Sequence, residues 1–79
     1  MRVKVVIPAS KIRSWLVIDE EMKSISDVSQ VIRQIFELDY QFNLEIEGFI
    51  LPFNGETMQL IREDETITYS QFNLESKIP

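Results

Sequence analysis

Three groups of carboxylates are the residues of this chain whose type and spacing bear on chemistry: Asp19-Glu20-Glu21, Glu45 with Glu47, and Glu63-Asp64-Glu65. Carboxylates can act as general acid and base, or hold a cation, only where they converge in a pocket. The pattern here argues against convergence. The first and third groups read as turns, and positions 45 and 47 point off the outer side of a strand, so all three are expected to be solvated faces. The D-x-[DN]-x-[DN]-G spacing of a calcium loop is absent, and with only Gly48 and Gly55 there is no glycine-rich phosphate cradle. The chain has no Cys and no His, which excludes disulfides, zinc sites, thiol nucleophiles and Ser-His triads. No catalytic residue, metal ligand or cofactor is expected.

The remaining chemistry is association. The net charge of −5 conceals a strong asymmetry. Arg2, Lys4, Lys11 and Arg13 give the first 13 positions +4, whereas the other 66 carry four cations against all 13 acids, a balance of −9. If Val3, Val5 and Ile7 face a core, then Arg2 and Lys4 face outward and Arg13 joins them. In that register Ile12, Leu16 and Ile18 point inward, while Trp15 and Val17 stand outward near Val6. An apolar patch ringed by cations has the make-up of an interface hot spot. The opposing reading, with Trp15 turned inward or packed on its own chain, stays open at this point. The acidic counterface is expected at the opposite end, from Glu45, Glu47, Glu63, Asp64 and Glu65. One basic and one acidic face on a small domain favour head-to-tail contact between copies.

The elements that must position these residues follow from hydrophobic period. Arg2 to Ile7 alternates as a half-buried strand, Pro8 to Lys11 forms a turn, and Ile12 to Asp19 returns as a second strand. Ile25, Val28, Val31, Ile32, Ile35 and Phe36 recur at three and four, the stripe of an amphipathic helix. Ser24 or Ser26 is placed to cap it, and Glu37-Leu38-Asp39 ends it. Phe42, Leu44 and Ile46 resume period two up to Gly48, and Phe49-Ile50-Leu51 is stopped by Pro52. Asn54-Gly55 marks a turn, Met58, Leu60 and Ile61 suit one helical turn, and Thr66 to Phe72 reads as a last strand. Phe36, Phe42, Met58 and Leu60 are expected in the core rather than around a ligand, since so small a domain spares little volume for a cavity.

Strand, strand, helix, strand, short strand, strand is the order of the ubiquitin-like β-grasp: an α+β fold with a mixed sheet of four to five strands packed on one main helix. A single domain is expected over residues 1–75, with 76–79 as a tail. No stretch approaches the ~18–20 apolar residues of a membrane span, so no membrane partner is expected. The lack of cysteine suits a reducing compartment. Acidity disfavours duplex binding, and four cations would give at most weak, salt-sensitive RNA contact.

Ser14-Trp15-Leu16-Val17-Ile18-Asp19, Ser26-Asp27 and Val31-Ile32-Arg33-Gln34-Ile35-Phe36 resemble the N-terminal domain of coilin. So do Leu44-Glu45-Ile46-Glu47-Gly48-Phe49-Ile50-Leu51-Pro52 and Leu60-Ile61-Arg62-Glu63-Asp64-Glu65-Thr66-Ile67. The likeness covers about Arg2 to Tyr69; residues 37–43 are poorer in Gly and Ser than that family's loop, which implies a divergent relative. The resemblance implies a non-enzymatic domain that self-associates and scaffolds Cajal bodies in the nucleus, where small nuclear ribonucleoproteins mature. Its partners would be copies of itself and other nuclear-body proteins, and Arg2 and Lys4 match the family's basic-x-basic first strand. Ubiquitin ends in a conjugating diglycine where this chain has Ser76-Lys77-Ile78-Pro79, so a conjugated modifier is not expected. The alternative is a ubiquitin-like or PB1-like adaptor for a heterologous protein, although Gly48 to Pro52 lacks the acidic motif of a PB1 domain. Phe49-Ile50-Leu51 would be the adaptor's contact.

Overall fold

The computed structural model describes residues 1–38 and 42–71. Strand β1 (Arg2–Ile7) leads through a 3-10 turn at Pro8–Ser10 into β2 (Ile12–Val17). Pro8 opens that turn and Lys11 closes it in the left-handed region, so this hairpin uses a longer connection than the tight two-residue form. The main helix α1 (Ile25–Ile35) follows, then β3 (Phe42–Ile46), β4 (Phe49–Ile50), a single turn α2 (Thr57–Leu60) and β5 (Thr66–Gln71). The five strands form one mixed sheet in the order β2-β1-β5-β3-β4, with β1 and β5 parallel and the other pairs antiparallel. The expected α+β class is what the chain adopts.

Helix α1 begins where the sequence gives its first turn partners. Ser24 Oγ accepts from the Asp27 N–H at 3.2 Å, and an Asp27 carboxylate oxygen accepts from the Ser24 N–H at 3.1 Å. This reciprocal cap satisfies two backbone donors that the helix itself cannot. Ile25, Val28 and Ile32 are wholly buried against Val3, Val5 and Ile7 of β1, Leu44 of β3 and Tyr69 of β5. The helix thus covers one side of the sheet, and alternation along each strand leaves its other residues on the opposite side. The rings of Phe42 and Tyr69 pack tilted against each other within this core, centroids 4.6 Å apart.

Several expectations shift at their edges. Strand β2 ends at Val17 rather than Asp19, though Ile18 still points into the core. The helical stripe narrows at its end: Phe36 is half-buried, whereas Ile35 is exposed on the outer side of the last turn. Met58 is 72% exposed, not core. In a helix of one turn only positions three or four apart share a face, and Thr57 with Ile61 takes the inner one. Leu51 is buried, so of the segment Phe49-Ile50-Leu51 only the first two present an outer surface. Asp39, Phe72 and the 76–79 tail lie outside the described residues.

Candidate interaction face

The side of the sheet away from α1 has no covering element among the described residues, and cross-strand register fixes what it displays. Lys4 pairs with Trp15, Arg2 with Val17 and Val6 with Arg13; directly opposed antiparallel residues share a face. Since Val3, Val5 and Leu16 are buried, these six stand on the open side. Trp15 is 52% exposed and Val17 67%. The indole therefore faces outward and also contacts its own chain. The Arg2 guanidinium carbon lies 4.7 Å and the Lys4 ammonium 5.5 Å from the ring centroid, both within reach of cation–π attraction.

Lys4, Arg13 and Trp15 come together with Val6, Ser14 and Thr66 around one depression of about 220 Å³. Two cations beside the indole at such an opening have the chemistry to pair with a carboxylate. Among the described residues Arg13 and Lys4 enter no ion pair.

The acids are placed differently from one another. Val6 of β1 pairs with Thr68, Thr68 with Glu45, and Glu45 with Ile50. A single row across the open face therefore reads Arg13, Val6, Thr68, Glu45, Ile50. Three strand spacings, ~14 Å at ~4.8 Å each, separate the Arg13 strand from the Glu45 strand. Glu45, half-buried, accepts from the Ser70 hydroxyl at 2.7 Å, which holds one carboxylate oxygen. Glu47 sits in the turn joining β3 to β4. Glu45 and Glu47 thus lie toward the sheet edge remote from the cations.

The 63–65 group does not. Parallel pairing of β5 with β1 brings the turn before β5 against the start of β1, where the Asp64 N–H donates to the Arg2 carbonyl at 2.8 Å and the Lys4 N–H to the Glu65 carbonyl at 2.8 Å. Arg2 Nε lies 3.1 Å from Asp64 and 4.0 Å from Glu63, and Glu65 accepts from the Arg62 N–H at 2.8 Å. These acids lie beside the basic strand, not opposite it, and Arg2 is their internal partner. A pairing between positions 60 residues apart leaves no local signal, which is why the sequence did not expose it. Among the described residues no group of three or more acids is placed to hold a metal ion, and no helix there is long and apolar enough to cross a membrane.

Sequence comparison agrees with the extent of these elements: the family model described as the coilin N-terminus matches residues 2–78. None of the curated proteins is similar enough in sequence to pair with the chain.

Proposed function

The chain belongs to the coilin N-terminus family, and from that premise we propose that it is a non-enzymatic self-association module of ubiquitin-like β-grasp architecture, serving a coilin-like scaffold of nuclear bodies. The sheet order β2-β1-β5-β3-β4 under one main helix supports the architecture. The observation that carries the functional reading is the depression bounded by Lys4, Arg13 and Trp15 on a sheet face that none of the described elements covers. Its complement on a second copy is Glu45 with Glu47, across the same face. Because the two halves are displaced rather than coincident, a contact between them is heterologous and extends into chains. Each exposed pair contributes only ~0.2–1 kcal/mol, so a single contact is weak and assembly depends on many tethered copies.

Sedimentation and light scattering of the domain against salt test this. Self-association should be seen at low ionic strength and decline as the Debye length falls from about 10 Å at 0.1 M toward about 3 Å at 1 M. Lys4→Glu with Arg13→Glu should abolish it, and adding Glu45→Lys and Glu47→Lys in a second chain should restore mixed assembly. A monomer at high concentration and low salt sinks the proposal. A second reading has its own observation: Phe49 and Ile50 are 75% and 59% exposed, a surface for a heterologous protein. Partner capture that survives Lys4→Glu but is lost in Ile50→Asp would favour it.

A further inference from the structure

A second surface lies at the end of the molecule where β1 starts and β2 stops, and of the basic face it shares only Val17. A cleft of about 620 Å³ opens there between the end of β2, the segment before α1, and α2. Met1, Val17, Met22 and Met58 supply its apolar walls. These include all three methionines of the chain, drawn from three separated stretches of sequence. Met58 and Val17 are 72% and 67% exposed, so the cleft presents apolar side chains that the core does not use. Its size falls within the ~300–1,000 Å³ range of binding clefts. Unbranched thioether side chains re-pack around varied apolar shapes and recur on surfaces that accept more than one partner.

The rim has one sign of charge in excess. Asp19, Glu20 and Glu56 line the cleft against Lys23 and the Met1 ammonium, the latter already donating to the Ile18 carbonyl at 3.2 Å. One Asp19 oxygen is committed to the Glu21 N–H at 2.9 Å, while no hydrogen bond or ion pair of the Glu20 or Glu56 side chain is among those described. The walls are held by backbone rather than by the rim: the Ile18 N–H donates to the Met1 carbonyl at 2.7 Å, and the Thr57 N–H to the Lys23 carbonyl at 2.9 Å. The cleft is therefore a framed opening with adaptable walls and acidic edges.

We infer that this methionine cleft docks a short segment of another protein in which apolar side chains alternate with Lys or Arg. The apolar residues enter between Met22, Met58 and Val17, and the cations meet Glu20 and Glu56. Among the described residues a second copy of this domain offers no such free segment: Arg2, Lys4 and Arg13 are held in paired strands, and the Pro8 to Lys11 turn carries no large apolar side chain.

Methionine methyl resonances of the full 79-residue chain, labelled with 13C at the methyl groups, report the site directly. The probe is a soluble Leu/Lys peptide of about 12 residues, compared with the same peptide bearing Glu in place of Lys. The Leu/Lys peptide should shift the Met22 and Met58 methyls saturably. Glu20→Lys with Glu56→Lys should raise the dissociation constant about tenfold, since each reversed exposed pair contributes up to ~1 kcal/mol. Met58→Ser should weaken binding while leaving the unfolding midpoint unchanged, as the side chain is largely outside the core. Equal shifts with the Glu peptide, or no shifts at millimolar Leu/Lys peptide, overturn the inference. So do methionine shifts that follow domain concentration alone, which would assign the cleft to a second copy. Lys4→Glu with Arg13→Glu removes the basic face only, so the cleft's response in that variant is read independently of self-association.

Discussion

Arg2 decides between two uses of the basic strand, and its truncation can be worked through. The side chain makes an ion pair with Asp64 at 3.1 Å and a longer one with Glu63 at 4.0 Å, and its guanidinium stacks 4.7 Å from the Trp15 centroid. The ion-pairing side chains are more than half exposed, at 60% for Arg2, 53% for Asp64 and 58% for Glu63. Screening therefore holds the ion-pair part to ~0.2–1 kcal/mol, and an exposed cation–π contact adds ~0.5–1 kcal/mol. Arg2→Ala should lower stability by about 1 kcal/mol in total, a fall of about 4–8 °C in Tm for a domain of this size. Arg13→Ala, with no ion pair to lose among the described residues, should move Tm much less and assembly much more, and Lys4→Ala, which gives up only its contact with the Trp15 ring, should fall between the two in Tm.

The assay is thermal unfolding followed by circular dichroism at low micromolar concentration, at 0.1 M and 1 M salt, together with sedimentation at high concentration. Double-mutant cycles apportion the loss, since they isolate a pairwise contribution from other effects of truncation. Arg2 with Asp64→Asn should show a coupling that shrinks in 1 M salt. Arg2 with Trp15→Ala should show a coupling that shrinks less, because the stack includes contact as well as charge. If Arg2→Ala leaves Tm unchanged and disrupts assembly as strongly as Arg13→Ala, the internal pairing of Arg2 is refuted and Arg2 belongs to the intermolecular surface instead.

Three further outcomes follow from the backbone and the core. The Thr57 hydroxyl is wholly buried and has no hydrogen-bond partner among the described residues, so Thr57→Val should raise stability by about 1 kcal/mol, seen as a higher urea midpoint at constant m-value. Gly48 adopts φ 84° with open space where a Cβ would stand, so Gly48→Ala should cost about 1 kcal/mol from backbone conformation alone, measurable by the same titration. Glu47 precedes it at φ 53°, and two consecutive positive φ values are what a type I′ hairpin turn requires. Glu47→Asn should therefore stabilise the domain by a few tenths of a kcal/mol while weakening self-association, two readouts that move in opposite directions.

What the sequence disclosed was whatever its periodicity encodes. Alternation at Val3, Val5 and Ile7 gave both the core side of β1 and, by parity, the outward direction of Lys4, whereas the direction of Trp15 stayed open until the cross-strand register fixed it. The three-four spacing of Ile25, Val28 and Ile32 gave the helix, and Ser24 with Asp27 its start. The omissions share a physical cause. The parallel pairing of β1 with β5 is non-local, so the meeting of Arg2 with Asp64 has no sequence signature. The convergence of Met1, Met22 and Met58 depends on three backbone segments meeting at one end of the sheet, and no spacing rule links them. Met58 was misplaced because one helical turn is too short for a period to be measured.

Strand parity also separates stability from assembly along β1. Val3, Val5 and Ile7 are fully buried, and Arg2, Lys4 and Val6 lie on the open side. Substitutions at odd positions therefore act on the fold, by roughly 1–3 kcal/mol for a truncated core side chain. Those at even positions act chiefly on the surface. Register enforces the division: slipping β1 by one residue would carry Arg2 and Lys4 into the core against α1 and expel Val3 and Val5, a cost no surface contact offsets. The basic face is thus held in place by the same alternation that builds the core. An acidic chain keeps its few outward cations ordered because their neighbours along the strand cannot face anywhere else.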